Sequence, residues 1–104
     1  MSTEAHLKQQ IAARRRGLLL LTLNAQYPGY LVWSLLVATL GPVFDGSEAL
    51  LKRELALLVD KKLVAQSEEK VLGQRTATWR ITPAGIRIAD GREEDEDILV
   101  DRAQ

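Results

Sequence analysis

The chain has no cysteine, a single histidine, three prolines and an aromatic content of only 5%. Without cysteine there is no disulfide scaffold, no thiolate metal site and no cysteine nucleophile. His6 stands near the start with no second ligand type arranged around it, so neither a metal centre nor a histidine general base is expected. There is no Gly-rich phosphate loop and no Ser/His/Asp arrangement. The acids at 93–97 fall in a terminal stretch that can hardly be buried, where carboxyl groups are not tuned for catalysis. The sequence therefore predicts a protein that is not an enzyme and takes no metal, cofactor or small-molecule ligand. Trp33 and Trp79 lie among apolar residues and are not interleaved with basic ones, so they read as core residues and not as a base-stacking platform. Long hydrophobic runs are missing too. The longest clean one, YLVWSLLVATL at 30–40, has eleven residues, whereas a membrane span needs roughly 20. MSTEAH offers no basic region leading into an apolar one, so no secretory leader is expected there and the expected setting is cytoplasmic.

What is present fits one domain. The 104 residues are long enough for a modest core, and the hydrophobic fraction of 46% is ordinary for a globular chain. The net charge of zero hides an asymmetry. Residues 1–92 carry 13 Lys or Arg and 8 Asp or Glu, giving +5, while residues 93–104 carry Arg102 against six acids, giving −5. A mildly basic body, residues 1–92, is thus expected to end in an acidic, flexible tail, residues 93–104.

Residues 4–23 are mostly helix formers, with Leu7, Ile11, Leu18 and Leu21 at helical spacing and Arg14, Arg15 and Arg16 among them. Pro28-Gly29 punctuates a loop. Residues 30–40 read as a second helix, apolar nearly all round, some of whose surface a second subunit would cover. Ser47 is an N-cap for a third helix, residues 48–62, with Leu51, Leu55 and Leu58 as its stripe. Residues 64–67 read as a short strand, 68–73 as a turn, and 75–81 as a half-buried alternating strand. Thr82 caps a last helix with Pro83 at its first position, and Gly91 stops it. The expected class is mainly α with a small β hairpin, in the order helix-helix-helix-strand-strand-helix, which is the winged helix-turn-helix plan.

LKRELALLVDKKLVAQ (residues 51–66) and WRITPAGIRIADG (residues 79–91) together resemble winged-helix repressors of the MarR and ArsR type. AQYPGY at 25–30, with the later Gly85, Ala89, Asp90, Gly91 and Arg92, is similar to small winged-helix proteins of Mu-like phages and prophages. The repressor pattern usually has Gly before the Leu-Val pair, where this chain has Lys62. The resemblance implies double-stranded DNA as the partner, a homodimer, and a role in transcription regulation or phage gene control.

In that plan the third helix enters the major groove. With its leucines facing inward, Ser47, Glu48, Lys52 and Arg53 are the outward candidates, although Lys52 can equally pair Glu48 at i, i+4. The wing would offer Lys70, Gln74, Arg75 and Thr76 to the DNA backbone, or carry them only as solubilising charge. Arg14, Arg15 and Arg16 fan over most of a turn, so they cannot share one partner. Each can contact phosphate, face solvent, or pair with the acidic tail. The tail can solubilise, compete with DNA for basic residues, or dock through Ile98-Leu99-Val100. The alternative function is a winged-helix protein-interaction or assembly module that does not bind DNA.

Overall fold

A computed structural model describes residues 3–101. Helix α1 (Thr3–Ala25) is followed by strand β1 (Leu31–Val32), helix α2 (Trp33–Leu40), a 3-10 turn (Gly41–Phe44), helix α3 (Glu48–Asp60), strands β2 (Val64–Val71) and β3 (Gln74–Ile81), and helix α4 (Pro83–Ala89). The fold is mostly helical, with one small antiparallel sheet in the order β1-β3-β2.

Three sequence expectations are corrected. The apolar segment at 30–40 is not one helix, because Leu31 pairs with Trp79 and Val32 with Thr78 as an edge strand before α2 begins. The start of α2 has no side-chain cap to mark it in sequence. The expected turn at 68–73 belongs mostly to β2, which pairs with β3 as far as Val71↔Gln74. Only Leu72 (φ 52°) and Gly73 (φ 82°) form the loop, and two left-handed central residues make it the type I′ turn that suits a twisted hairpin. Residues 66–68 are exposed, so this hairpin reaches beyond the core, and the strand pattern there has no buried face to announce it.

The third correction is the acidic tail, whose described part is not loose. Ile98 is buried in the core, and the Leu99 amide donates to the Ala13 carbonyl at 3.0 Å. Lys61, at the end of α3, meets Asp95 at 3.1 Å and Asp97 at 2.9 Å. The segment thus closes over the junction of α1 and α3.

The core is built by Leu19, Leu20 and Leu23 of α1, Leu36 and Leu40 of α2, Phe44, Leu51, Leu55 and Leu58 of α3, and Trp79 and Ile81 of β3. Truncating a buried leucine of this kind to alanine typically costs about 2–5 kcal/mol. The α3 end is set by hydrogen bonds from Leu63 N to Leu58 O and from Lys62 N to Val59 O, at 3.0 and 2.9 Å, the paired closure of a Schellman motif. Lys62 occupies its left-handed position with φ 63°, where glycine is usual. At the start of α4, Thr82 Oγ1 accepts from the Gly85 amide (3.1 Å) and donates to the Lys62 carbonyl (2.8 Å), so one hydroxyl joins the helix to the α3–β2 connection.

Among the described residues no single helix is long and apolar enough to cross a membrane. The segments Trp33–Phe44 and Glu48–Asp60 reach the length together but are bent by 106° at the break.

Candidate nucleic-acid interface

Ser47 starts α3 by accepting the Leu50 amide at 3.2 Å, so its hydroxyl is committed to capping. Once Leu51, Leu55 and Leu58 face the core, the same helical period turns Glu48, Lys52 and Arg53 outward, and all three are exposed. Trp33, the first residue of α2, organises two of them. Its indole N–H donates to Glu48 Oε1 at 3.3 Å, and the Lys52 ammonium lies 5.6 Å from its ring centroid, within cation–π reach. Arg53 stands clear, its side chain 75% exposed and 4.0 Å from Glu54.

On the hairpin, Lys70 and Arg75 are register partners across the two strands. Arg75 also bonds Glu68 at 2.9 Å. Gln74 opens β3, and its carbonyl accepts the Thr76 hydroxyl at 3.2 Å. The structure therefore brings Glu48 and Lys52 together at Trp33, with Arg53 exposed about 100° further round α3, and gathers Lys70, Gln74, Arg75 and Thr76 at the hairpin end.

The three consecutive arginines do what their fan predicts and take three separate partners. Arg14 pairs with Asp101 at 2.8 Å. Arg15 bonds Asp45 and the Val43 carbonyl, both at 2.8 Å, and lies over the Phe44 ring. Arg16 donates to Glu54 at 2.8 Å and to the Asp97 carbonyl at 3.0 Å. Arg15 and Arg16 are enclosed by their protein acceptors and not poised for phosphate, whereas Arg14 is half exposed on a pair with an exposed Asp101 and stays open to a second anionic partner.

No protein-family model matches the chain, and no curated protein is significantly similar to it.

Sequence reasoning missed Glu54 and Lys61. Glu54 is 4% exposed and, as a charged residue one position before Leu55, reads from the sequence as part of the polar face. Its ion pair with Arg16 satisfies it, and a buried carboxylate without that partner would be strongly destabilising. Lys61 has its pKa raised, first by its hydrogen bond to Asp97 and then by that to Asp95, against the opposing effect of burial. Burial works to raise the Asp95 carboxyl, but the Asp97 N–H donated to it, together with Lys61 and Arg16, holds it below its ordinary value. The signal that could have found this site was the spacing of Asp95 and Asp97 before an apolar triplet, next to a helix that ends in two lysines.

The acidic segment thus meets α1, Lys61 just past the end of α3, and Arg87 of α4. Among the described residues it makes no ion pair or hydrogen bond with Lys52 or Arg53, so the expectation that it competes with DNA for those residues finds no contact there to support it.

Proposed function

We propose that the protein is a winged helix-turn-helix DNA-binding protein, with α3 entering the major groove and the β2–β3 hairpin, as the wing, lying along the backbone. One observation carries this reading. The segment Trp33–Phe44, which is α2 with its 3-10 turn, and α3 are bent by 106° at the break between Phe44 and Glu48, within the range for helix-turn-helix pairs, and α3 turns Lys52 and Arg53 outward just ahead of the hairpin. The order of strands around β3 and the Thr82-capped return helix support the same plan. Regulation of transcription, in a phage or prophage setting, is the role that follows from it by analogy of fold.

A specific observation favours a second reading. The outward residues of α3 and the hairpin comprise Lys52, Arg53, Lys70, Arg75 and Arg80 against Glu48, Asp60, Glu68 and Glu69, a nearly even balance where strong DNA binders are basic. A face of mixed sign is what a protein partner would meet, so an interaction module without DNA binding is the alternative.

Fluorescence anisotropy on a random duplex separates the two. DNA binding predicts an affinity that falls with salt by no more than about 0.9 per phosphate contact in the log–log slope, so about −3 to −4 for four cations. It also predicts loss of binding in a Lys52→Ala/Arg53→Ala variant. No binding at about 50 mM salt would remove the DNA reading.

A further inference from the structure

The first nine described residues of α1, 3–11, are exposed at every position, so the helix overhangs the body and lengthens the molecule to 51 Å against 30 and 26 Å in the other directions. Helix extension costs chain entropy that packing has to offset, and this overhang has little packing of its own. Its exposed side is not polar. Leu7, Ile11 and Leu18 are 55, 39 and 42% exposed, and at about 100° per residue they fall within about 40° of one another. The residues of α1 that enter the core are Gly17, Leu19, Leu20 and Leu23, on the opposite side of the helix. The periodicity visible in the sequence is therefore that of a second apolar face and not of the core.

That face has heptad spacing. Glu4, Ile11 and Leu18 occupy one position, and Leu7, Arg14 and Leu21 the position three residues later, the a and d sites of a coiled-coil seam. In an antiparallel pair each a site meets a d site of the other helix. One register places apolar against apolar and acid against base throughout: Leu7 on the partner's Ile11, Ile11 on the partner's Leu7, Glu4 on the partner's Arg14, and Arg14 on the partner's Glu4. The pairing is self-complementary about a two-fold axis near residue 9, as a closed dimer requires. It leaves the two bodies at opposite ends of the helix pair, so neither obstructs the other.

We propose that residues 4–14 of α1 form an antiparallel homodimer seam in this register. The partner is thus a second copy of the chain, and the dimer surface lies on α1 and not on α2, where the apolar sequence placed it. The inference does not rest on DNA binding. Two apolar layers flanked by two ion pairs make a small interface, below the roughly 1,200 Å² of standard complexes, so the association is weak, with a dissociation constant on the order of tens to hundreds of micromolar.

Sedimentation equilibrium on the full chain, from about 10 µM to about 1 mM, reads the mass directly. The expected mass rises from one chain to two across that range. Leu7→Glu with Ile11→Glu should remain one chain throughout, with unchanged far-UV circular dichroism because both sites are exposed. Glu4→Arg alone, which sets like charges together, should weaken dimerisation about tenfold or more. Adding Arg14→Glu to it, with Asp101→Asn so that no like charge of the same chain meets the new acid, should restore affinity to within about threefold of the parent, since the acid–base pairs then re-form with their signs exchanged. A single-chain mass at the top concentration overturns the proposal, as does a dimer indifferent to Leu7→Glu/Ile11→Glu. A double charge exchange that fails to recover overturns the register.

Discussion

Lys62 and Thr78 are two residues at which local chemistry and fold disagree. Lys62 holds φ 63°, a conformation that costs a side-chain-bearing residue on the order of 1 kcal/mol and glycine almost nothing. The Schellman closure around it keeps it there, with Leu58 and Leu63 both buried beneath. The helix thus ends where a glycine would have ended it, and the Lys62 departure from the repressor pattern changes the energy without changing the geometry. Lys62→Gly should raise stability by about 0.5–1 kcal/mol, which for a domain of this size lifts the thermal midpoint by a few degrees. A lower midpoint would mean that the lysine side chain contributes more than its backbone costs. Thr78 is 1% exposed in the central strand, and its hydroxyl has no hydrogen-bond partner. An unpaired buried hydroxyl carries a desolvation penalty of about 1–3 kcal/mol. Thr78→Val, nearly the same shape and a better strand former, should therefore be neutral or stabilising by about 1 kcal/mol in urea unfolding. Clear destabilisation would show that the hydroxyl is bonded in solution.

At the scale of elements, the acidic segment 93–101 is the part whose behaviour the sequence least reveals. Its seat depends on Gly17, since a Cβ there would collide with the Leu99 carbonyl and come within 2.8 Å of its carbon. Two effects oppose each other in Gly17→Ala. Alanine in mid-helix is favoured by about 1 kcal/mol, while overpacking costs typically 1–3 kcal/mol. Because the clash is with backbone, the second should win, with net destabilisation and loss of hydrogen-exchange protection at the Leu99 amide. Stabilisation with protection intact would show that the segment is not seated on Gly17. The ionic half of the seat sets its pH range. Asp95 is held below its ordinary 3.8, so its contribution is present above that value and lost as pH falls through the lower folded one. Lys61 is raised above 10.5, so its contribution is present below that value and lost as pH rises beyond. The Ile98 methyl resonances should accordingly stay fixed from about pH 5 to about pH 10 and shift toward their unpacked positions as pH falls through the lowered Asp95 value, below 3.8. Capped and periodic elements such as α3 and α4 were legible in the sequence, because Ser47, Thr82-Pro83 and the leucine stripe act within one turn. Strand β1 was not, since two residues become a strand only by meeting Trp79 and Thr78 from far along the chain. The docked segment was half legible, through the apolar triplet that follows its acids. For the candidate site, outward Glu48, Lys52 and Arg53 followed from the helical period, but the hold of Trp33 on two of them did not.

At the scale of the whole molecule, charge is sorted to two ends. The C-terminal acids neutralise Arg14, Lys61 and Arg87, while Arg16 and Arg15 are taken by Glu54 and Asp45. The excess of base over acid in residues 1–92 is therefore largely spent within the fold. What remains at the α3 face is Lys52 and Arg53, separated from Lys61 by nine residues of helix, or about 13 Å. That exceeds the Debye length of about 8 Å at physiological salt, so the C-terminal acids should be electrostatically remote from a DNA strand lying on α3. In the DNA-binding reading, changing Glu93, Glu94 and Glu96 to glutamine, which leaves the Asp95 and Asp97 contacts in place, should alter duplex affinity at about 0.15 M salt by no more than about twofold. Changing Glu48 to glutamine removes an acid from the binding face itself, held there by Trp33, and should tighten binding several-fold by lifting its repulsion of phosphate. Anisotropy titrations of the two variants side by side decide between a local and a global control of affinity. A larger gain from the triple variant than from Glu48→Gln would mean that the C-terminal acids act across the molecule, as a mask that leaves its seat to reach the binding face.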